Sequence, residues 1–141
     1  MHASLIGRRI LVVEDEMMIA MLVEDTLTDA GCVVVGPFAR LAEAMVAARN
    51  ADVDAACLDI NLFGEQVFPA AEALAARGVP FVLLSGYGDK ALPPGREHWR
   101  CLGKPFREAD LLAALSEALS RRAAAPKPVH PREPGEAVRP A

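Results

Sequence analysis

Four short segments of this chain are almost continuously apolar: ILVV at 10–13, CVVV at 32–35, AACL at 55–58 and FVLL at 81–84. A strand with one wet face alternates apolar and polar residues. A run without alternation is buried on both faces, as in a parallel sheet covered by helices. Between these runs the apolar residues change to helical spacing. Ile19, Leu22, Val23 and Leu27 share a face and Gly31 stops the segment; Leu41, Ala44, Met45 and Ala48 align within 41–50. Residues 65–78 predict a helix with Phe68, Ala71, Leu74 and Ala75 inward, Pro69 in its first turn and Gly78 as its end. A short fifth strand is expected within 98–106. A final helix is expected over 107–122, with Leu111, Leu112, Leu115 and Leu119 in register.

The order β-α-β-α-β-α-β-loop-β-α places the chain in the α/β class, a five-stranded parallel sheet with helices on both faces. The alternation calls for a fourth helix between the last two strands. The stretch GYGDKALPPGRE (86–97) has several glycines and a Pro-Pro pair instead, so that helix is expected to be weak or missing.

The length of 141 residues suits one domain with room for a tail. A short extension (1–7) is expected to precede the domain (8–122). From Ala123 the chain is Pro-rich without hydrophobic periodicity, which predicts a disordered tail over 123–141. No run reaches the ~18 apolar residues of a membrane span, and MHASLIGRR does not resemble a signal peptide, so a cytoplasmic location is expected. The net charge of −4 speaks against a general nucleic-acid binder. Cys32, Cys57 and Cys101 are widely spaced within strand-like segments, which predicts buried thiols rather than a disulfide framework or zinc site.

In an open parallel sheet, ligands bind beyond the carboxyl ends of the strands. Glu14, Asp15 and Glu16 follow the first strand; Asp59 and Asn61 the third; Ser85 the fourth; Lys104 and Pro105 the fifth. Each has an ordinary explanation. Asp15 could cap the first helix, Glu14 and Glu16 could favour its dipole, and Asp59 could bond its own turn. Ser85 could be any turn serine and Lys104 any surface lysine. Their convergence points to phosphoryl transfer onto a carboxylate. Three converging acids need a cation, and oxygen-only ligands with room for water favour Mg²⁺. An Asp at such a cation can act as nucleophile and form an acyl phosphate. A lysine supplies countercharge and a serine hydroxyl can donate to the phosphoryl group. Asp59 is thus the expected phosphoacceptor.

Taken together, VVEDE (12–16), LDINLFGE (58–65), LLSG (83–86) and GKPF (103–106) resemble the receiver domain of two-component response regulators, over roughly residues 8–121. The resemblance implies the flavodoxin-like strand order 2-1-3-4-5 and phosphorylation of Asp59. It implies Mg²⁺ held directly by Asp15 and Asp59, through water by Glu14, and by the backbone carbonyl of Asn61. It further implies that Ser85 and Lys104 bind the phosphoryl group and that the Lys104–Pro105 peptide is cis. Two positions depart from the family: Glu14 stands where Asp is common, and Cys101 where many receivers carry a switch Tyr or Phe. PFVLLSGYG (80–88) resembles a subgroup with a Phe-x-x-x-Thr/Ser-Gly-Tyr-Gly signature and a poorly formed fourth helix. That makes Tyr87, with Pro105, the switch candidate.

The expected function is a single-domain response regulator, enzymatic only in its own phosphorylation and dephosphorylation. Its donor would be a sensor histidine kinase, of the HWE class by that subgroup, or a histidine phosphotransfer protein. Its output would be protein–protein interaction or phosphate shuttling, with no DNA-binding domain and no membrane contact; a homodimer stays open. The alternative is a phosphorylation-independent adaptor on the same fold. A dehalogenase-type phosphatase would need D-x-D on the first strand, where this chain has E-D-E.

Overall fold

The structure is a computed structural model and describes residues 5–86 and 92–124. In chain order the elements are β1 (Arg9–Val13), α1 (Met17–Asp29), β2 (Val33–Phe38), α2 (Leu41–Asn50), β3 (Ala55–Asp59), β4 (Asn61–Leu62), β5 (Glu65–Gln66), α3 (Phe68–Ala76), β6 (Phe81–Ser85), β7 (Cys101–Gly103) and α4 (Glu108–Ala124). Five strands form a parallel sheet in the order β2-β1-β3-β6-β7. Counting the main-sheet strands alone, this is the expected 2-1-3-4-5.

The continuous apolar runs have a simple origin. Successive strand residues point to opposite faces, and here each face has its own core. Leu11, Val13, Ala56, Leu58 and Leu83 pack with Ala44 and Ala48 of α2 and Ala70, Ala71 and Leu74 of α3. Ile10, Val12, Ala55, Cys57, Val82 and Leu84 pack with Val23 and Leu27 of α1 and Leu111 and Leu115 of α4. Every side chain of the central β3 is buried.

Several local expectations are corrected. Residues 65–66 are not helical: they pair with 61–62 in an antiparallel hairpin, and α3 begins at Phe68 with Pro69 in its first turn. The inward face of α1 is Ala20, Val23, Thr26 and Leu27, while Leu22 is exposed beside Met17, Met18 and Met21. The first half of α1 is apolar all round, so its period alone does not select a face. Ala75 likewise faces solvent. Cys32 and Cys57 are buried reduced thiols, but Cys101 is exposed, because β7 is a three-residue edge strand with one face uncovered.

Among the described residues no helix lies between β6 and β7. Instead residues 92–100 cross the molecule as turns. They are held by Trp99, which packs edge-on against Phe81 (5.1 Å between ring centroids) and near Phe68 (6.4 Å). Arg96 reaches α3 and donates two hydrogen bonds to Glu72, at 2.9 and 3.0 Å. Tyr87 lies outside the described residues. Among those described, no helix is long and apolar enough to cross a membrane.

Candidate functional site

Register brings the strand-end residues together. Val13 pairs with Leu58, so Glu14 and Asp15 leave the sheet beside Asp59. Asp59 pairs with Leu84, which puts Ser85 next, and Ser85 pairs with Gly103, the residue before Lys104. The Ser85 carbonyl also accepts the Lys104 N–H at 2.8 Å, fixing where the lysine departs.

At this edge, carboxylate oxygens of Glu14, Asp15 and Asp59 lie within 4.8 Å of one another. The Lys104 ammonium sits 3.1 Å from Asp59 Oδ1 and 3.0 Å from Glu14 Oε1, and donates to Glu14 Oε2 at 3.3 Å. Glu14 and Asp59 are only 2% and 3% exposed; Asp15 and Lys104 are half-buried. Three carboxylates against one ammonium leave the cluster two charges negative when all are ionised.

The electrostatics follow from that imbalance. Burial pushes the Asp59 carboxyl up to about 8, reinforced by hydrogen bonding to Glu14 and Asp15 and by the Glu14 charge, with Lys104 opposing. Asp15 behaves oppositely. Burial raises its pKa, but the Phe63 N–H at 2.9 Å, with hydrogen bonding to Asp59, outweighs burial and holds it below the ordinary carboxylate value. Burial lowers the Lys104 pKa, yet Glu14 and Asp59 together keep it above the usual ammonium value.

The ordinary explanations account for little of this. The N-cap of α1 is Glu16, which makes no side-chain cap bond, and no acid occupies the first turn. Asp59 does accept its own turn amide, from Asn61, but at a long 3.4 Å. Glu14 Oε2 takes the Glu16 N–H at 3.1 Å. Its buried partner oxygen, Oε1, lies in ion-pair range of Lys104 but accepts no hydrogen bond. A buried acceptor left with a spare lone pair, beside two further carboxylates and a negative balance, fits a hard divalent cation with oxygen ligands.

Asn61 is exposed at the start of β4, where its side chain accepts the Gly64 N–H at 3.0 Å. Ser85 is half-buried at the end of β6, and Pro105 is exposed after a cis Lys104–Pro105 bond. Gly36–Pro37, at the bulge in β2, is also cis. Sequence reasoning passed over Phe63 and Arg40. Phe63 donates to Asp15 from a backbone at φ 50, and the Arg40 guanidinium lies over its ring, 4.7 Å from the centroid. Only Gly64 and the turn-forming Asn61 hint at that geometry in the sequence.

The response regulator receiver domain family matches residues 10–116. The chain belongs to this family. Transcriptional regulatory protein TcrA of Mycobacterium tuberculosis (strain H37Rv) is 36% identical over 129 residues, 86% of this receiver and 49% of TcrA. The chain spans about half the length of the curated relatives it matches. The solution structure of SdrG from Sphingomonas melonis Fr1 is 39% identical, with TM-score 0.71, over 82% of this receiver and 98% of SdrG. The receiver domain of sensor histidine kinase PA1611 from Pseudomonas aeruginosa PAO1 is 25% identical, with TM-score 0.65, over 81% of this chain and 98% of that one. That crystal structure has a magnesium ion coordinated in its active site cleft.

Proposed function

We propose that this receiver accepts a phosphoryl group on Asp59 from a phosphohistidine of a sensor histidine kinase or phosphotransfer protein, and signals through its surface. The observation that carries this reading is the placement of one buried carboxylate against both an acid pair and the Lys104 ammonium, at the carboxyl edge of the sheet. Glu14, Asp15 and Asp59 would hold Mg²⁺, with the Asn61 carbonyl as a further ligand. The ion would neutralise charge on the incoming phosphoryl oxygens.

The rest is done by the chain. An Asp59 oxygen attacks phosphorus as the P–N bond to the donor histidine breaks, and the imidazole leaves with that bond's electron pair. Lys104, already 3.1 Å from Asp59, turns its charge to a phosphoryl oxygen, and the Ser85 hydroxyl donates to another. Asp59 must be ionised to attack; burial and its acid neighbours disfavour that form, Lys104 favours it, and a bound Mg²⁺ would favour it further.

A protein donor is favoured by Met17, Met18 and Met21, all exposed immediately after the acid triplet, since flexible thioether side chains adapt to a partner's surface. The segment Phe81–Gly86, with Phe81 under Trp99 and no helix among the described residues between β6 and β7, supports the Phe-x-x-x-Ser-Gly subgroup and with it an HWE-class kinase. The adaptor alternative has no observation in its favour, because the acids and Lys104 converge and Ser85 stands at the neighbouring strand end.

The test is intact mass after incubation with acetyl phosphate and Mg²⁺, for wild type and Asp59→Asn. A hydroxylamine-labile phosphoryl adduct on wild type alone is the expected result. No adduct from acetyl phosphate or from phosphorylated HWE-class kinases and phosphotransfer proteins would overturn the reading.

A further inference from the structure

Phe63 and Gly64 form a two-residue hairpin loop between β4 and β5, and both have positive φ, 50 and 87. Positive φ at both central positions is what a type I′ turn demands, and Asn-Gly or Asp-Gly is the usual pair there. Gly64 obeys that rule. Phe63 breaks it, as a bulky residue, 59% exposed, in the left-handed region. A local rule broken without burial of the side chain marks a place to look for function.

The conformation has one clear consequence. It directs the Phe63 N–H out of the hairpin to Asp15 Oδ2, 48 residues away in sequence, at 2.9 Å. The Arg40 guanidinium, at the start of α2, covers the ring and ties the loop to the body of the protein. The Asn61 side chain braces the loop from below through Gly64, and the Val67 N–H to Ile60 carbonyl bond (2.8 Å) closes its base. Asp15 accepts this amide while facing Glu14 and Asp59, and the buried Glu14 Oε1 beside it has no hydrogen bond.

We infer that Phe63 is a positioning residue for the divalent cation, its left-handed amide holding the Asp15 carboxylate in ligating orientation while Arg40 clamps its ring. This rests on the proposed function insofar as the acid cluster binds Mg²⁺. Partners that orient a metal ligand typically change affinity by 10–100-fold when lost.

Two substitutions separate amide from ring. Phe63→Asn keeps the N–H and suits a type I′ turn but removes the ring; Phe63→Pro removes the N–H and fixes φ near −65°. Mg²⁺ affinity is read by titration calorimetry on the full chain with no phosphodonor. We expect Phe63→Pro to bind about 10-fold more weakly or worse, and Phe63→Asn to stay within about 3-fold of wild type. Equal affinity in Phe63→Pro, or equal losses in both variants, would overturn the inference while leaving the proposed function intact. Failure of wild type itself to bind Mg²⁺ would instead overturn the function reading and the inference with it. Should Phe63→Pro not fold, amide exchange at residue 63 decides. Asp15→Ala should accelerate it about 10-fold or more, and unchanged exchange would sink the idea.

Discussion

Asp59 is the residue where burial and chemistry conflict. Its pKa rises from 3.8 unfolded to about 8 folded, so the folded state holds an extra proton between those values. Stability is therefore lost as pH rises from about 4 to about 8, because ionising Asp59 in a buried site, beside Glu14 and Asp15, is unfavourable. Asp59→Asn, which keeps the shape and cannot ionise, should be nearly neutral at pH 4.5. It should stabilise by about 1–3 kcal/mol at pH 8.5 in EDTA. Thermal unfolding of both proteins at the two pH values checks this; a gain independent of pH would show that charge is not the cause. The acid itself was legible in the sequence, as an ionisable residue ending a buried run. Its altered titration was not, because that depends on three chain segments meeting.

At the level of elements, residues 92–100, between β6 and β7, are held as turns by two anchors. Trp99 joins the core cluster against Phe81 and Phe68, and Arg96 pairs with Glu72 on α3. The tryptophan is the stronger anchor, since it removes apolar area from water, whereas the exposed ion pair is weakened by solvent. Trp99→Ala should cost about 2–4 kcal/mol in urea unfolding, and Glu72→Gln much less; the reverse ranking would mean that the ion pair holds the segment. That the described residues 92–100 form turns was readable from the Pro-Pro pair and Gly95. The role of Trp99 was not, because a lone tryptophan in a turn-rich stretch carries no periodicity to show which surface it meets. Residues 65–66 read as the start of α3, rather than as the second strand of a hairpin, for a related reason. Two-residue strands are too short to show a period, and Pro69 marked only that a helix began nearby.

Over the whole molecule, the two cores hold the sheet rigid while its carboxyl edge concentrates negative charge. A cation that binds only the folded state raises stability by mass action, by about 2.7 kcal/mol at a hundredfold excess over Kd. For a domain of this size that is about 5–10 °C in melting temperature. Mg²⁺ should produce such a shift at pH 7.5, EDTA should reverse it, and Asp15→Ala should abolish it; a shift surviving in that variant would place the ion elsewhere. The α/β class, the two-sided burial of the strands and the acids, hydroxyl and ammonium at strand ends are all legible in the residues alone, because they follow from local periodicity and from the general geometry of parallel sheets. Other features arise on folding: the face α1 turns inward, the exposure of Cys101 on an edge strand, the raised pKa of Asp59 and the aim of the Phe63 amide at Asp15. Each of these depends on register and packing between segments tens of residues apart, which no local pattern encodes.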